Sequence, residues 1–161
     1  MIPRITLILD SIRSVENVAS IFRTADSAGV EHIILCGITP GPLDRFNRER
    51  KDFVKVSLGA EKSVAWSRVE TVQNAVKAYK EQNPQGLVIA LEQNERSVSH
   101  TKPVNNNSIA IILGSERHGM PAETLALADM IYEIPQYGSK ESLNVAVAAG
   151  VVVYAIRASS R

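Results

Sequence analysis

Unbroken runs of Ile, Leu and Val recur along this chain, and helix-length amphipathic stretches or glycine- and proline-bearing loops separate them. The runs ITLIL (5–9), HIILC (32–36), GLVIALE (86–92) and SIAIIL (108–113) show no strict alternation with polar residues. Strands of that kind are covered on both faces, which predicts a mostly parallel sheet with helices packed on each side, an α/β fold. The spacing predicts helices over 17–28, 71–82 and 121–128, a short strand over 65–69 and a last strand over 130–135. Asn17 and Thr71 read as N-caps, and Pro121 fits the first turn of its helix. Residues from Gly37 to about Gly59 read as one long loop. The stretch 142–158 is rich in valine, yet about 17 residues without a turn signal is helix length. It reads as a helix with Ser142 as cap and Asn144 inside its first turn, apolar nearly all round and packed on both sides.

Composition narrows the class. With 161 residues, 45% apolar and 22% charged, the expectation is a single globular domain over 1–161, not a disordered or fibrous chain. One cysteine, Cys36, and three scattered histidines (His32, His100, His118) offer neither a disulfide nor a metal cluster, so no metal is expected. The longest apolar stretch, Val145 to Ile156, has 12 residues against the roughly 18 that span a bilayer. The opening MIPRITLILD is too short in apolar residues for a signal peptide, which makes the cytoplasm the expected address. A net charge of +1 says little about partners, but 45–62 holds six basic residues against three acidic ones. Such an excess suits a phosphate backbone.

In parallel α/β sheets ligands sit beyond the carboxyl ends of the strands. Three segments stand at such places. Asn17-Val-Ala-Ser-Ile-Phe-Arg23 follows the first strand, and the spacing lets Asn17, Ser20 and Arg23 share a helix face. Leu113-Gly-Ser-Glu-Arg-His-Gly119-Met follows a buried strand, with Gly114 and Gly119 for sharp turns and the carboxylate of Glu116 between them. It lacks the Gly-Lys-Ser/Thr of a nucleotide triphosphate loop. Ile134-Pro-Gln-Tyr-Gly-Ser-Lys-Glu-Ser142-Leu143-Asn144 joins the last strand to the last helix. Two such loops after neighbouring strands predict a shared pocket.

Together these segments resemble the three motifs of the SpoU (TrmH) family of RNA 2′-O-ribose methyltransferases, in the SPOUT superfamily. Asn17…Arg23-Thr-Ala resembles the first motif, Leu113-Gly-Ser-Glu-Arg-His-Gly-Met the second and Ile134-Pro…Ser142-Leu-Asn-Val the third. The likeness runs from about Ile5 to Ile156. Ala19 stands where a glycine is common, and Tyr137 where a methionine is common. The resemblance implies a SPOUT fold with a C-terminal trefoil knot, S-adenosylmethionine as methyl donor, tRNA or rRNA as substrate, and a homodimer. It implies cofactor contacts at Leu113, Gly114, Glu116, Gly119, Ile134, Leu143 and Asn144. Asn17, Arg23, Glu116, Ser142 and Asn144 are the implied catalytic set, with Arg23 as base or electrostatic clamp. Without a separate RNA-binding domain, Arg45–Lys62 is the expected recognition surface, with Ser57–Glu61 ordering against RNA. A SPOUT copy that binds RNA without catalysis is one alternative. A dinucleotide-binding enzyme is another, although Asp10-Ser-Ile-Arg13 stands where its glycine-rich turn would be.

Overall fold

A computed structural model describes residues 2–115 and 117–160. Seven strands form one sheet: β1 (Arg4–Asp10), β2 (His32–Cys36), β3 (Ala65–Val69), β4 (Leu87–Leu91), β5 (Val98–Ser99), β6 (Ser108–Gly114) and β7 (Met130–Glu133). Their order is β3-β2-β1-β6-β4-β7-β5, and every pairing is parallel. All strands therefore end at one edge, where the loops collect. β1 lies inside the sheet beside the middle strand β6, Thr6–Asp10 in register with His32–Cys36 and Arg4–Asp10 with Ser108–Gly114. Two-residue β5 is too short to leave a periodic signal in the sequence.

Side chains alternate across the sheet, as period two requires. Ile5, Leu7 and Leu9 face one core beneath α1 (Val15–Ser27) and α6 (Val145–Ser159). Ile8, Ala110 and Ile112 face the other, beneath α4 (Val72–Gln82) and α5 (Ala122–Leu125). Helices thus cover both faces, as the unbroken apolar strands demand. α1 buries Val18, Ala19, Ile21, Phe22 and Ala25 along one stripe. The loop expected from Gly37 to Gly59 ends in a helix instead, α2 (Lys51–Ser57), with α3 (Ala60–Ser63) directly after it, and both lie against α1. α2 buries only Phe53 and Ser57, too few positions to declare a helical period. Phe53 meets Phe22 edge to face, ring centroids 5.2 Å apart, and docks α2 on α1.

The caps differ from expectation at both ends of the chain. Ser14, not Asn17, caps α1: its Oγ accepts from Asn17 N at 3.2 Å. Asn144, not Ser142, caps α6, accepting from Ala146 N at 2.8 Å and Val147 N at 3.3 Å. Asn144 therefore stands exposed at the helix start rather than inside its first turn. Thr71 caps α4 as predicted, accepting from Asn74 N. At the far end of α6 the Arg157 guanidinium donates to Ala28 O at 2.9 Å, Gly29 O at 2.7 Å and Pro3 O, clasping the chain's first and last elements.

Cys36 is buried at the end of β2, and burial pushes its thiol up to about 12, with the Asp10 carboxylate adding and Arg68 opposing. Because the folded value lies above the unfolded one, stability tied to this thiol is complete at neutral pH. It declines only as pH rises past the unfolded value of about 8.5. Iodoacetamide at pH 8 is expected to leave the native protein unlabelled and to label it in guanidinium; labelling of both at equal rate would contradict this burial.

Candidate functional site

Two adjoining hollows open at the carboxyl edge of the sheet. One lies beyond β4, β6 and β7 and the start of α6. Leu91, Leu113, Ile134, Leu143, Val145 and Ala148 give it apolar walls, while Gly114, Ser115, Gly119 and Ser142 supply backbone and small groups. Its cavity volume is ≈ 160 Å³, and its mouth opens to solvent. Glu92, Glu133 and Glu141 also line it, and its described lining includes no lysine or arginine. A cationic ligand suits such a wall.

Glu92 is the residue around which this hollow is built. Its Oε2 accepts from Met120 N at 2.8 Å and its Oε1 from Gln93 N at 2.9 Å. Gly119 makes the first bond possible: its φ is +65°, and a Cβ there would lie 3.3 Å from Glu92 Oε2. On the opposite loop Gln93 Nε2 donates to Glu141 O at 2.9 Å, and Gln136 Nε2 to Ile134 O at 2.9 Å. The three loops are thereby tied to one another.

The second hollow is lined by Ile12, Arg13, Ser14, Asn17, Arg117, Ser115 and Val145, and the last two are shared with the first. Two arginines and no carboxylate among its described lining suit an anion. At the border the Asn144 amide donates to Asn17 Oδ1 at 3.0 Å, joining the first and third sequence motifs across 127 positions.

The structure thus brings Leu113, Gly114, Gly119, Ile134, Ser142 and Leu143 to one hollow and sets Asn17 and Asn144 beside it. Glu116 lies outside the described residues. Arg23 is not brought in. Six residues along an α-helix is about 9 Å and about 120° around from Asn17, so the two do not share a face. Arg23 is exposed and lines neither hollow. It follows α1 alongside α6 instead: a Cβ at Gly150 would lie 3.5 Å from the methyl of Thr24. Ser57 and Glu61 are buried and hydrogen-bonded to each other, so of that segment only Leu58 stands fully exposed. Glu92, Gln93 and Gln136 were not anticipated. Glu92 and Gln93 do follow a buried strand, β4, whose carboxyl end is itself the signal.

No helix among the described residues is long and apolar enough to cross a membrane. No described group of three or more His, Cys, Asp or Glu is placed to hold a metal. Residues 4–154 match the SpoU rRNA Methylase family. The tRNA (guanosine(18)-2'-O)-methyltransferase of Escherichia coli is 32% identical over 94% of this chain and 62% of its own length. A 23S rRNA (guanosine-2'-O-)-methyltransferase of Ralstonia nicotianae is 31% identical over 94% of this chain and 57% of its own. The chain therefore spans about six-tenths of the length of these curated relatives. An AdoMet-bound rRNA methyltransferase from Sinorhizobium meliloti superposes with a TM-score of 0.83, at 26% identity, over 96% of this chain and 56% of that one.

Proposed function

The chain belongs to the SpoU rRNA methylase family, and from that premise we propose that it transfers a methyl group from S-adenosylmethionine to a ribose 2′-hydroxyl of tRNA or rRNA. One observation carries the reading: a carboxylate-lined hollow and an arginine-lined hollow share the wall formed by Ser115 and Val145. The first suits a sulfonium and ammonium, the second a phosphate. Relatives named for tRNA and for rRNA methylation support the substrate class, and the AdoMet-bound neighbour supports the methyl donor.

S-adenosylmethionine, when bound, supplies a methyl group already electrophilic on its sulfonium sulfur. The chain's own part is placement, which is worth several kcal/mol in such reactions. The backbone at Leu113, Gly114 and Ile134, with the Leu143 side chain, would hold the adenosine, and Glu92 would fix the Gly119 turn. Arg13 and Arg117 would grip the RNA phosphate, while the Asn17–Asn144 pair and Ser142 orient the ribose. A guanidinium has a pKa above about 12 and seldom yields its proton. Arg23 therefore acts as clamp on the developing alkoxide, and Glu116 or a water takes the hydroxyl proton.

Arg23 reaches a site only in a homodimer, which we include in the proposal. Val147 and Tyr154 are 53% and 50% exposed on α6, seven residues apart and so on one face. This strip, beside Arg23, suits a second copy that carries its own cleft to that arginine. The trefoil knot implied by the family likeness belongs to the same reading.

Tritiated methyl transfer from S-adenosylmethionine to total tRNA and, separately, to rRNA tests the activity. Incorporation into one pool is expected; none in either, with S-adenosylhomocysteine bound, favours the non-catalytic RNA-binding alternative. Asn144 offers a finer check. Asn144→Asp retains an N-cap and should melt within about 2 °C of the parent, while losing the donor to Asn17 and about tenfold in rate. Asn144→Ala should lose the same rate and about 1 kcal/mol of stability besides. Equal rates in parent and Asn144→Asp would remove the amide pair from the mechanism.

A further inference from the structure

We propose that the turn bearing Arg45, Phe46 and Arg48 is a stacking platform for the base of an unpaired nucleotide that flanks the methylated ribose. The proposal rests on the RNA reading above and names the kind of RNA: a loop or single strand, since bases in a duplex are not free to leave their stack.

Phe46 is 61% exposed, an aromatic ring with no place in either core. The turn beneath it is rigid. Asp44 Oδ1 accepts from Phe46 N at 2.8 Å and Arg48 N at 3.0 Å, Asp44 N donates to Arg48 O at 2.9 Å, and Leu43 bridges Glu49. Two guanidinium carbons sit by the ring, Arg45 Cζ at 4.7 Å and Arg48 Cζ at 4.9 Å from its centroid. They are not equivalent. Arg48 is tied to Asp44 at 2.9 Å, just as Arg50 is paired with Asp52, and Arg68 donates to Gly37 O and Thr39 O. Among the described residues Arg45 has no hydrogen-bond or ion-pair partner. It is the arginine that can leave.

A base stacked on an aromatic ring improves affinity by about 5- to 150-fold. An exposed guanidinium over the same ring is worth about 2- to 5-fold. A base can therefore displace Arg45 with net gain, and the freed guanidinium meets a phosphate. Charge favours nucleic acid over an acidic peptide only in part, but the ring decides: a base has a flat face to lay on it.

Position supports the track. The turn follows β2, whose carboxyl end stands two strands, about 10 Å, along the sheet edge from that of β6. Thr39 joins the two places, its Oγ1 accepting from Ile12 N at 3.2 Å and donating to Leu9 O at 3.0 Å. Gly37 allows the same approach, since a Cβ there would lie 2.7 Å from Ser11 Oγ. Ile12 and Arg13 belong to the arginine-lined hollow. A strand held there by its phosphate would run along this edge toward Phe46.

The test compares the parent with Phe46→Ala, Phe46→Trp and Arg45→Ala, using a single-stranded RNA oligonucleotide with one 2-aminopurine, a blunt RNA duplex, and poly-glutamate as competitor. Binding of the single strand should quench 2-aminopurine. Phe46→Ala should weaken it about 5- to 150-fold and abolish the quench, and Phe46→Trp should restore both. Arg45→Ala should lower the salt slope of binding by about one. In methyl transfer Phe46→Ala should raise KM for RNA and leave kcat, with the melting shift from S-adenosylhomocysteine unchanged. If the parent methylates RNA and Phe46→Ala matches it in KM and quenching, the platform is wrong and the function stands. Poly-glutamate displacing RNA from the parent but not from Phe46→Ala would give this surface to a protein partner and overturn the platform. A parent that neither binds the oligonucleotide nor methylates any RNA overturns the function itself.

Discussion

Arg23→Ala should lower methyl transfer by about 10²- to 10³-fold, the cost of removing one group that stabilises developing charge on oxygen. Binding of S-adenosylhomocysteine should be unchanged, because Arg23 lies outside the carboxylate-lined hollow. The position of Arg23, exposed on α1 beside α6, adds a second consequence. If the arginine serves the cleft of a second copy, two dead variants can repair each other. Mixing Arg23→Ala with a cleft variant such as Leu143→Asp gives hybrid dimers with one sound cleft facing one sound arginine. At equal proportions about one site in four should recover, by the symmetry of a two-fold dimer. No recovery, with subunit exchange verified by mass, would return Arg23 to its own chain or remove it from the reaction.

Glu92→Ala should lose both backbone amides that its carboxylate holds, those of Met120 and Gln93. It also removes one of the three described carboxylates that line the hollow. Hydrogen bonds to a charged group are worth about 1.5–3 kcal/mol each, so calorimetric titration should find S-adenosylhomocysteine bound about 10- to 100-fold more weakly. Melting should fall by about 2–4 °C for each kcal/mol of lost stability. Glu92→Gln keeps an oxygen for Met120 N and separates anchor from charge: it should melt near the parent and bind between the two. Wild-type affinity in Glu92→Ala would mean that the hollow is not the methyl donor's site.

The sheet was legible because its central strands are apolar on both faces, a pattern that only cover on both sides satisfies. Helix caps were less so. Ser14 and Asn17 are both good caps one turn apart, and the choice between them depends on where the chain leaves β1. The candidate hollow was legible where glycines mark a strand end, as at Gly114 and Gly119. It was not legible at Glu92, which closes the apolar run GLVIALE without a glycine beside it. The amide that its carboxylate was made for belongs to Met120, 28 positions later. Arg23 shows the opposite case: the motif names it, but a spacing of six turns it away from Asn17 and from both hollows.

Arg157 bears on how the molecule is made. Its bonds to Gly29 and Pro3 join positions 128 and 154 apart, and β1, the first strand, pairs with β6 about a hundred residues later. Native contacts of such separation slow folding, because long loops must close before they are rewarded. On a ribosome adding residues from the amino end, β1 and β2 emerge as a pair with one flank uncovered. The sheet is complete only once β7 has left the exit tunnel, and the last helix is fastened only once residue 157 has. A chain of this topology is most aggregation-prone while these elements are still missing, and both hollows, which Val145 helps to line, form only after α6 has begun to emerge.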